Sequence, residues 1–179
     1  MSSHRKRLML LRHAKAEWSE GVPDHERPLS SRGHADAPLI GRWMVDNDAV
    51  PDLILCSSAL RARQTCTWVC KELGDKAPTP RLEDGLYAAR PAEILALINR
   101  VPSTVTSLLV IAHLPGVQDL AMRLASVESD EDAVMDLATD YPTAGLTVLQ
   151  HPHEWADLDA RDTDVTDFVV RRATASRRG

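Results

Sequence analysis

Residues 7–18 read RLMLLRHAKAEW, and this segment predicts the architecture of the protein. Four apolar residues, 8–11, run directly into Arg12 and His13. A short apolar run without alternation is typical of a strand that is covered on both faces of a parallel sheet. Such a strand would place the arginine and the histidine at the edge of the sheet. The segment therefore predicts a buried first strand that ends in two polar side chains.

The rest of the chain repeats this strand pattern and alternates it with helical periodicity. Further apolar runs predict strands at residues 53–56, 108–112 and 145–150. Between them, apolar residues recur at spacings of three and four, which predicts helices over residues 30–46, 59–73, 91–99 and 115–127. Alternating strands and helices indicate an α/β fold. We expect a three-layer α/β/α sandwich with a mainly parallel sheet and helices on both faces.

Two other segments are polar. Residues 128–140 are strongly acidic and form either a solvated helix or a surface loop, with a charged outer face as the favoured interpretation. Residues 173–179 lack core-forming side chains, and we expect a disordered basic tail there. No linker divides the chain, so we expect one domain over residues 1–172.

The composition is that of an ordinary globular protein, with 44% hydrophobic and 26% charged residues. Because the net charge is −5, we expect neither nucleic acid nor a membrane as a partner. No apolar run approaches the roughly 18 residues that a membrane span needs. No export signal is visible, and an odd number of cysteines suits reduced thiols. We therefore expect a cytoplasmic protein, and we expect it to be a monomer.

Three predicted strands end in the same kind of chemistry. The first ends in Arg12 and His13, the second is followed by Ser57 and then Arg61, and the third ends in His113. A single histidine after a strand is more often structural than functional. However, the carboxyl ends of parallel strands share one edge of the sheet, where open α/β folds bind ligands. Imidazoles and guanidiniums would converge there with helix N-termini, which predicts an anion site with phosphate as the expected ligand.

Five segments carry a resemblance to a known family: LLRHAKAEW, RPLSSRG, SSALRARQT, VIAHLPGV and YPTAGLTVL. They resemble the histidine phosphatase superfamily, also called phosphoglycerate-mutase-like, and within it the small SixA-type phosphohistidine phosphatases. The segments follow the family order over nearly the whole chain. The resemblance implies that His13 is the nucleophile and becomes phosphorylated. It also implies that Arg12 and Arg61 hold the phosphoryl oxygens, that His113 completes the pocket, and that Ser57 shapes the adjoining loop and contributes to phosphate binding.

These residue types suit phosphoryl transfer. The guanidinium fork matches phosphate geometry, and a neutral imidazole is a competent nucleophile near pH 7. We expect His113 to act as a cation. Arginines and a histidine supply the positive charge, so we expect no metal and no cofactor. The family often has glycine after the Arg-His pair, where this chain has Ala14, and small SixA-type members tolerate alanine there.

The proton donor for the leaving group is expected in the segment RLEDGLYAARPAE. Asp84 is the first candidate and Glu83 the alternative, although both are equally well explained as surface carboxylates. Imidazole leaves more easily than an alkoxide because its pKa is about 6.5. A site with a weak acid therefore favours phosphohistidine on a signalling or phosphotransfer protein. A small phosphorylated metabolite and a phosphate-binding module without catalysis are the alternatives.

Other sequence features admit competing interpretations. Only four residues separate Cys56 from Arg61, one fewer than a cysteine-dependent phosphatase needs, so we expect a buried apolar role for this cysteine. The segment HPHE, residues 151–154, lacks further ligands at the spacing of a zinc site. We expect His25 to be a surface or loop residue. We expect Trp18 to pack in the core rather than to line the pocket rim.

Overall fold

A computed structural model describes residues 5–174 of the chain. Its strands are β1 Lys6–Arg12, β2 Leu53–Ser57, β3 Arg81–Glu83, β4 Ser107–Ala112, β5 Leu146–His151 and β6 Asp164–Val169. Its helices are α1 Ser31–Asp46, α2 Leu60–Leu73, α3 Pro91–Ile98, α4 Gly116–Leu124 and α5 Glu131–Thr139. The predicted strands and helices are all present, with ends shifted by only a few residues.

The six strands form one sheet in the order β3-β2-β4-β1-β5-β6. The pairs β2–β3, β2–β4 and β1–β4 are parallel, whereas β5 is antiparallel to both β1 and β6. The prediction of a mainly parallel sheet is confirmed. Because β1 and β4 run side by side in the same direction, their carboxyl ends reach the same edge together.

The core consists of two layers, one on each face of the sheet. Leu8 and Leu10 of β1 enter the core under α3, α4 and α5. Met9 and Leu11 enter the opposite core under α1 and α2. All four side chains are fully buried, which explains why β1 needs a continuous apolar run rather than an alternating one. The three-layer sandwich is confirmed.

Two strands, β3 and β6, were not predicted. β3 is three residues long and leaves Arg81 and Leu82 exposed at the edge of the sheet. β6, at the other edge, reads DVTDFV and buries only Val165 and Val169. Edge strands need little apolar surface, so neither has the composition that marks a buried strand.

The acidic segment contains helix α5, so the helical alternative is right. Asp130 caps its first turn by accepting a hydrogen bond from the Ala133 N–H at 2.8 Å. Ala133 and Leu137 are buried on one face, and the acidic side chains of the helix are exposed. The predicted charged outer face therefore covers a small apolar seam.

The predicted basic tail lies largely outside the described residues, which end at Thr174. At its start, the Ala173 N–H donates to Asp36 Oδ1 at 2.8 Å. Within residues 5–174, no helix has the length and apolar character that crossing a membrane requires.

The predicted packing role of Trp18 is wrong. Its side chain is 86% exposed and lies against the Arg27 guanidinium, 4.9 Å from the ring centroid. Trp155, in contrast, is fully buried and donates its indole N–H to the Val105 carbonyl. Trp18 lies outside any helical or strand periodicity, so the sequence contains no pattern that assigns its ring to one face.

Candidate active site

The register of the sheet brings two histidines together. Arg12 pairs with Ala112 across β1 and β4, so the residues that follow them, His13 and His113, emerge side by side. Their ring centroids lie 5.1 Å apart. The His13 backbone is held on both sides, because its N–H donates to Ala112 O and its carbonyl accepts from the Ala144 N–H. The predicted convergence at this edge is confirmed for the two imidazoles.

The hydrogen bonds of His13 define its tautomer. Nδ1 lies 2.7 Å from Ala14 O, which can only accept, so Nδ1 carries the proton. Nε2 in turn accepts from the Arg61 Nε–H at 3.3 Å. Burial is the main reason that the pKa of His13 falls to about 3, and His113, Arg61 and Arg12 lower it further. At neutral pH the ring is therefore uncharged, with a lone pair on Nε2.

Two arginines border His13. Arg12 donates through Nη1 to Tyr141 O at 2.8 Å, while its buried Nε has no hydrogen-bond partner among the described residues. Arg61, at the start of α2, donates through Nη1 to Asp24 O at 2.6 Å and through Nη2 to Asp24 Oδ2 at 3.0 Å. The two guanidiniums concentrate positive charge beside a neutral nucleophile.

His113 and Ser57 form the third side of the site. His113 Nε2 lies 2.7 Å from Ser57 Oγ, and that oxygen also accepts from the Ala59 N–H at the start of α2. His113 Nδ1 is buried without a partner among residues 5–174. Burial and then Arg61 lower the pKa of His113 to about 4. In the protein without a ligand the ring is therefore neutral at pH 7, and the cationic role of His113 during the reaction stays a prediction.

Helix α2 also supports the nucleophile through its RARQT segment. Thr65 Oγ1 accepts from the Ala14 N–H at 3.0 Å and donates to Arg61 O at 2.7 Å. Gln64 Oε1 accepts from the Leu29 N–H at 2.7 Å. One helix thus places Arg61 in the site and fixes the backbone immediately after His13.

The RPLSSRG segment holds α1 against the same backbone. Ser30 caps α1 by accepting from the Gly33 N–H, and its hydroxyl donates to Lys15 O at 3.1 Å. A Cβ on Gly33 would lie 2.1 Å from Lys15 O, so only glycine permits this approach. The segment acts by fixing the chain that follows Ala14.

The structure adds Asp24 and Tyr87, which the sequence did not predict. The Asp24 carboxylate accepts from Tyr87 Oη at 2.6 Å, from Arg61 and from Arg27. These hydrogen bonds, that from Tyr87 foremost, outweigh burial and hold the pKa of Asp24 well below its usual range. Asp24 lies in a 3-10 turn within an irregular segment, where no periodicity indicates its partner.

The predicted proton donors make no side-chain hydrogen bond to a described pocket residue, although Glu83 pairs with Ser57 across β3 and β2. Glu83 accepts from Arg81 at 2.9 Å, and Asp84 is exposed at the start of a 3-10 turn. That turn instead delivers Tyr87, whose ring centroid lies 5.7 Å from that of His113. A role for Asp84 or Glu83 stays a prediction.

The structure supports neither of the competing interpretations, the cysteine-dependent phosphatase site and the zinc site. Cys56 is fully buried and donates its thiol to Ser57 O, which agrees with its predicted apolar role. The His151 and His153 rings lie 5.7 Å apart, but within the described chain no three His, Cys, Asp or Glu side chains are grouped as metal ligands. The polar residues converge at the sheet edge instead.

Comparison with known proteins agrees with this geometry. The sequence profile of the histidine phosphatase superfamily, branch 1, matches residues 8–87. An uncharacterised protein of Mycobacterium tuberculosis is 39% identical over 163 residues, which are 90% of this chain and 100% of the relative. Phosphohistidine phosphatase SixA of Escherichia coli is 28% identical over 127 residues, 68% of this chain and 76% of the relative.

A solved structure from Nakamurella multipartitia, assigned as a SixA phosphohistidine phosphatase, superimposes with a TM-score of 0.82 at 27% identity. The match covers 95% of this chain and 98% of that one. The chain therefore belongs to the histidine phosphatase superfamily and is a phosphatase similar to SixA.

Proposed function

We propose that the protein removes the phosphoryl group from a phosphohistidine on a signalling or phosphotransfer protein, through a covalent intermediate on His13. The observation that supports this most directly is the state of the His13 ring. Its Nδ1 proton is held by Ala14 O, and its Nε2 lone pair accepts a long hydrogen bond of 3.3 Å from Arg61, which attack on phosphorus would replace. A buried neutral imidazole beside guanidiniums is suited to attack phosphorus.

The reaction takes two steps. In the first, His13 Nε2 attacks phosphorus, the bond to the leaving group breaks, and the electron pair goes to the leaving group. In the second, water attacks the phosphorus of phosphorylated His13, the P–N bond breaks with its electron pair returning to Nε2, and inorganic phosphate leaves. Arg12 and Arg61 stabilise the equatorial oxygens in both steps, since charge on these oxygens is the main obstacle to phosphoryl transfer.

Two buried polar atoms support phosphate as the ligand. Arg12 Nε and His113 Nδ1 have no hydrogen-bond partner among the described residues. Such atoms are rare in folded proteins because their desolvation is costly. A phosphoryl oxygen would satisfy both, and its negative charge would raise the pKa of His113 and favour the cationic ring.

The low demand of an imidazole leaving group for a proton donor supports phosphohistidine as the substrate. Neither the Asp84 nor the Glu83 side chain hydrogen-bonds to a described pocket residue. Asp24 does, but its lowered pKa keeps it ionised, so it is not an acid that could protonate an alkoxide. Imidazole needs such help less, because its pKa is about 6.5. The E. coli relative is named a phosphohistidine phosphatase, which agrees with this choice. We propose that neither metal nor cofactor takes part.

The test measures phosphate release in EDTA from a phosphohistidine-bearing phosphotransfer protein and from a panel of phosphomonoesters. His13→Ala should lower turnover by about a thousandfold or more, as expected for loss of a nucleophile. His153→Ala, which changes an exposed histidine outside the pocket, is the matched control.

Each alternative gives a different result. Faster His13-dependent turnover of phosphomonoesters would keep the mechanism and replace the substrate. Turnover that EDTA abolishes and a divalent metal restores would contradict metal independence. Phosphate binding without turnover would identify a binding module in place of an enzyme.

A further inference from the structure

Four aromatic rings line the way from the nucleophile to the surface. The ring centroids of His13 and His113 lie 5.1 Å apart, those of His113 and Tyr87 5.7 Å, and those of Tyr87 and His25 4.8 Å. The first two rings are buried, and the last two are partly exposed. Exposure therefore increases along this row, from His13 and His113 to Tyr87 and His25.

Asp24 stands at the same outer end. Its side chain is 54% exposed although it hydrogen-bonds to the pocket. Oδ2 accepts from both Arg61 and Tyr87, whereas among residues 5–174 Oδ1 accepts only from Arg27. A carboxylate oxygen has two lone pairs, so Oδ1 has room for one further donor.

We propose that Asp24 and Tyr87 form a leaving-group subsite that selects a protonated imidazole ring. The ring of the substrate packs against Tyr87, and Asp24 accepts a hydrogen bond from the ring nitrogen that is not bonded to phosphorus. Aromatic rings in edge or offset contact favour such packing. This inference rests on the proposed phosphohistidine function and assigns its specificity to these two residues.

The subsite removes the need for an acid from the protein. When the P–N bond breaks, its electron pair returns to the ring nitrogen, and His13 Nε2 forms the new P–N bond. The other ring nitrogen already holds a proton, so the ring leaves as neutral imidazole. A carboxylate beside that nitrogen favours its protonated form by raising the pKa of the ring. Turnover of phosphohistidine then needs no proton from Asp84, which is exposed.

The charged groups around Asp24 are compatible with this role. Arg61 and Arg27 are cations, but in the complex Arg61 also faces the phosphoryl oxygens. Tyr87 donates its hydroxyl to Asp24, and His25 pairs with Glu26 at 2.9 Å.

The charge states of Asp24 and His113 are also compatible with the subsite. The pKa of Asp24 is held below its usual range, so its charge persists across the assay range. His113, the remaining titratable ring beside Tyr87, is neutral in the free protein because burial lowers its pKa to about 4. A phenolate or alkoxide leaving group becomes negative and gains nothing from the carboxylate.

The experiment compares kcat/KM for phosphohistidine with kcat/KM for p-nitrophenyl phosphate. Asp24→Asn removes the charge and keeps an acceptor oxygen. Any displacement of Arg61 affects both substrates, because both present the same phosphoryl group. We expect the ratio of phosphohistidine to p-nitrophenyl phosphate to fall about tenfold, which corresponds to a change of about one unit in the pKa of the bound ring.

The pH profile provides a readout that a purely structural role would not move. For the wild-type protein, kcat with phosphohistidine should decline as the pH rises through the pKa of the bound ring. In Asp24→Asn this decline should begin about one pH unit lower, because the carboxylate no longer stabilises the ring cation. Asp24→Glu should restore the wild-type profile. Glu20→Gln, the same charge change in the same segment, should leave ratio and profile unchanged.

The outcomes separate this inference from the function on which it rests. An unchanged ratio and profile in Asp24→Asn would overturn the subsite while the phosphatase function stands. An equal loss with both substrates would show that Asp24 only positions Arg61, which also overturns it. If the wild-type protein shows no His13-dependent hydrolysis of phosphohistidine, the proposed function fails, and the subsite fails with it.

Discussion

Two hydrogen bonds and burial define the protonation state of the His13 ring. Ala14 O takes the Nδ1 proton, Arg61 Nε–H contacts Nε2, and burial keeps the ring neutral. The direction of the ring also depends on the backbone of Ala14, whose N–H is held by Thr65 Oγ1. A side chain that never touches the substrate therefore contributes to the geometry of attack.

Thr65→Val tests this contribution at the scale of one atom. Valine has nearly the shape of threonine but cannot accept the hydrogen bond from the buried Ala14 N–H. The unpaired N–H should lower the unfolding free energy by about 1–3 kcal/mol. We expect kcat to fall as well, because the nucleophile loses its support. Urea unfolding and steady-state kinetics measure the two effects.

Thr67→Val is the matched control for that change. Its hydroxyl lies on the exposed face of the same helix and donates to Arg63 O within that helix. The control should leave kcat unchanged. Equal effects of the two variants would contradict the role given to Thr65.

At the scale of elements, the sequence predicts the strands and helices whose buried residues form apolar runs or recur periodically. The strand ends that carry Arg12, His13 and His113 follow from apolar runs, and the sheet register then brings them together. β3 and β6 bury too little to show such runs. Asp24 escapes prediction because its place depends on how an irregular segment folds back onto α2, which no local pattern specifies.

The contact between α1 and the chain after His13 gives a test at this scale. Gly33→Ala would force a Cβ to within 2.1 Å of Lys15 O, so either α1 or the chain that follows His13 must shift. We expect a loss of about 1–3 kcal/mol, the usual range for overpacking, and lower kcat. Thermal unfolding and kinetics measure both.

Gly85→Ala is the control for this substitution. A Cβ there meets only Leu97 Cδ1, at an ordinary 3.7 Å. It should leave stability and turnover near the wild-type values. A stable and fully active Gly33→Ala protein would show that the close approach is not needed.

At the scale of the whole molecule, the pocket makes stability depend on pH. The pKa values of His13 and His113 in the folded protein, about 3 and about 4, lie below the unfolded value near 6.5. Between these values the unfolded chain binds more protons, so stability is complete above about pH 6.5 and falls as the pH falls.

We expect the unfolding free energy to drop by roughly 1–2 kcal/mol per buried histidine between pH 7 and pH 5. Urea denaturation at a series of pH values measures the slope. His113→Gln should make it shallower, whereas His153→Gln, at an exposed position, should leave it unchanged. A wild-type slope that is flat over this range would contradict the buried neutral pair.

The central claim is that His13 carries the phosphoryl group, and trapping that intermediate tests it most directly. The protein is mixed with ³²P-labelled phosphohistidine substrate, quenched in alkali within one turnover, and assayed for label on the chain. We predict label that survives alkali and is lost in acid, as a P–N bond requires, and that is absent in His13→Ala. Turnover without any labelled intermediate, or label that persists in His13→Ala, would contradict the account.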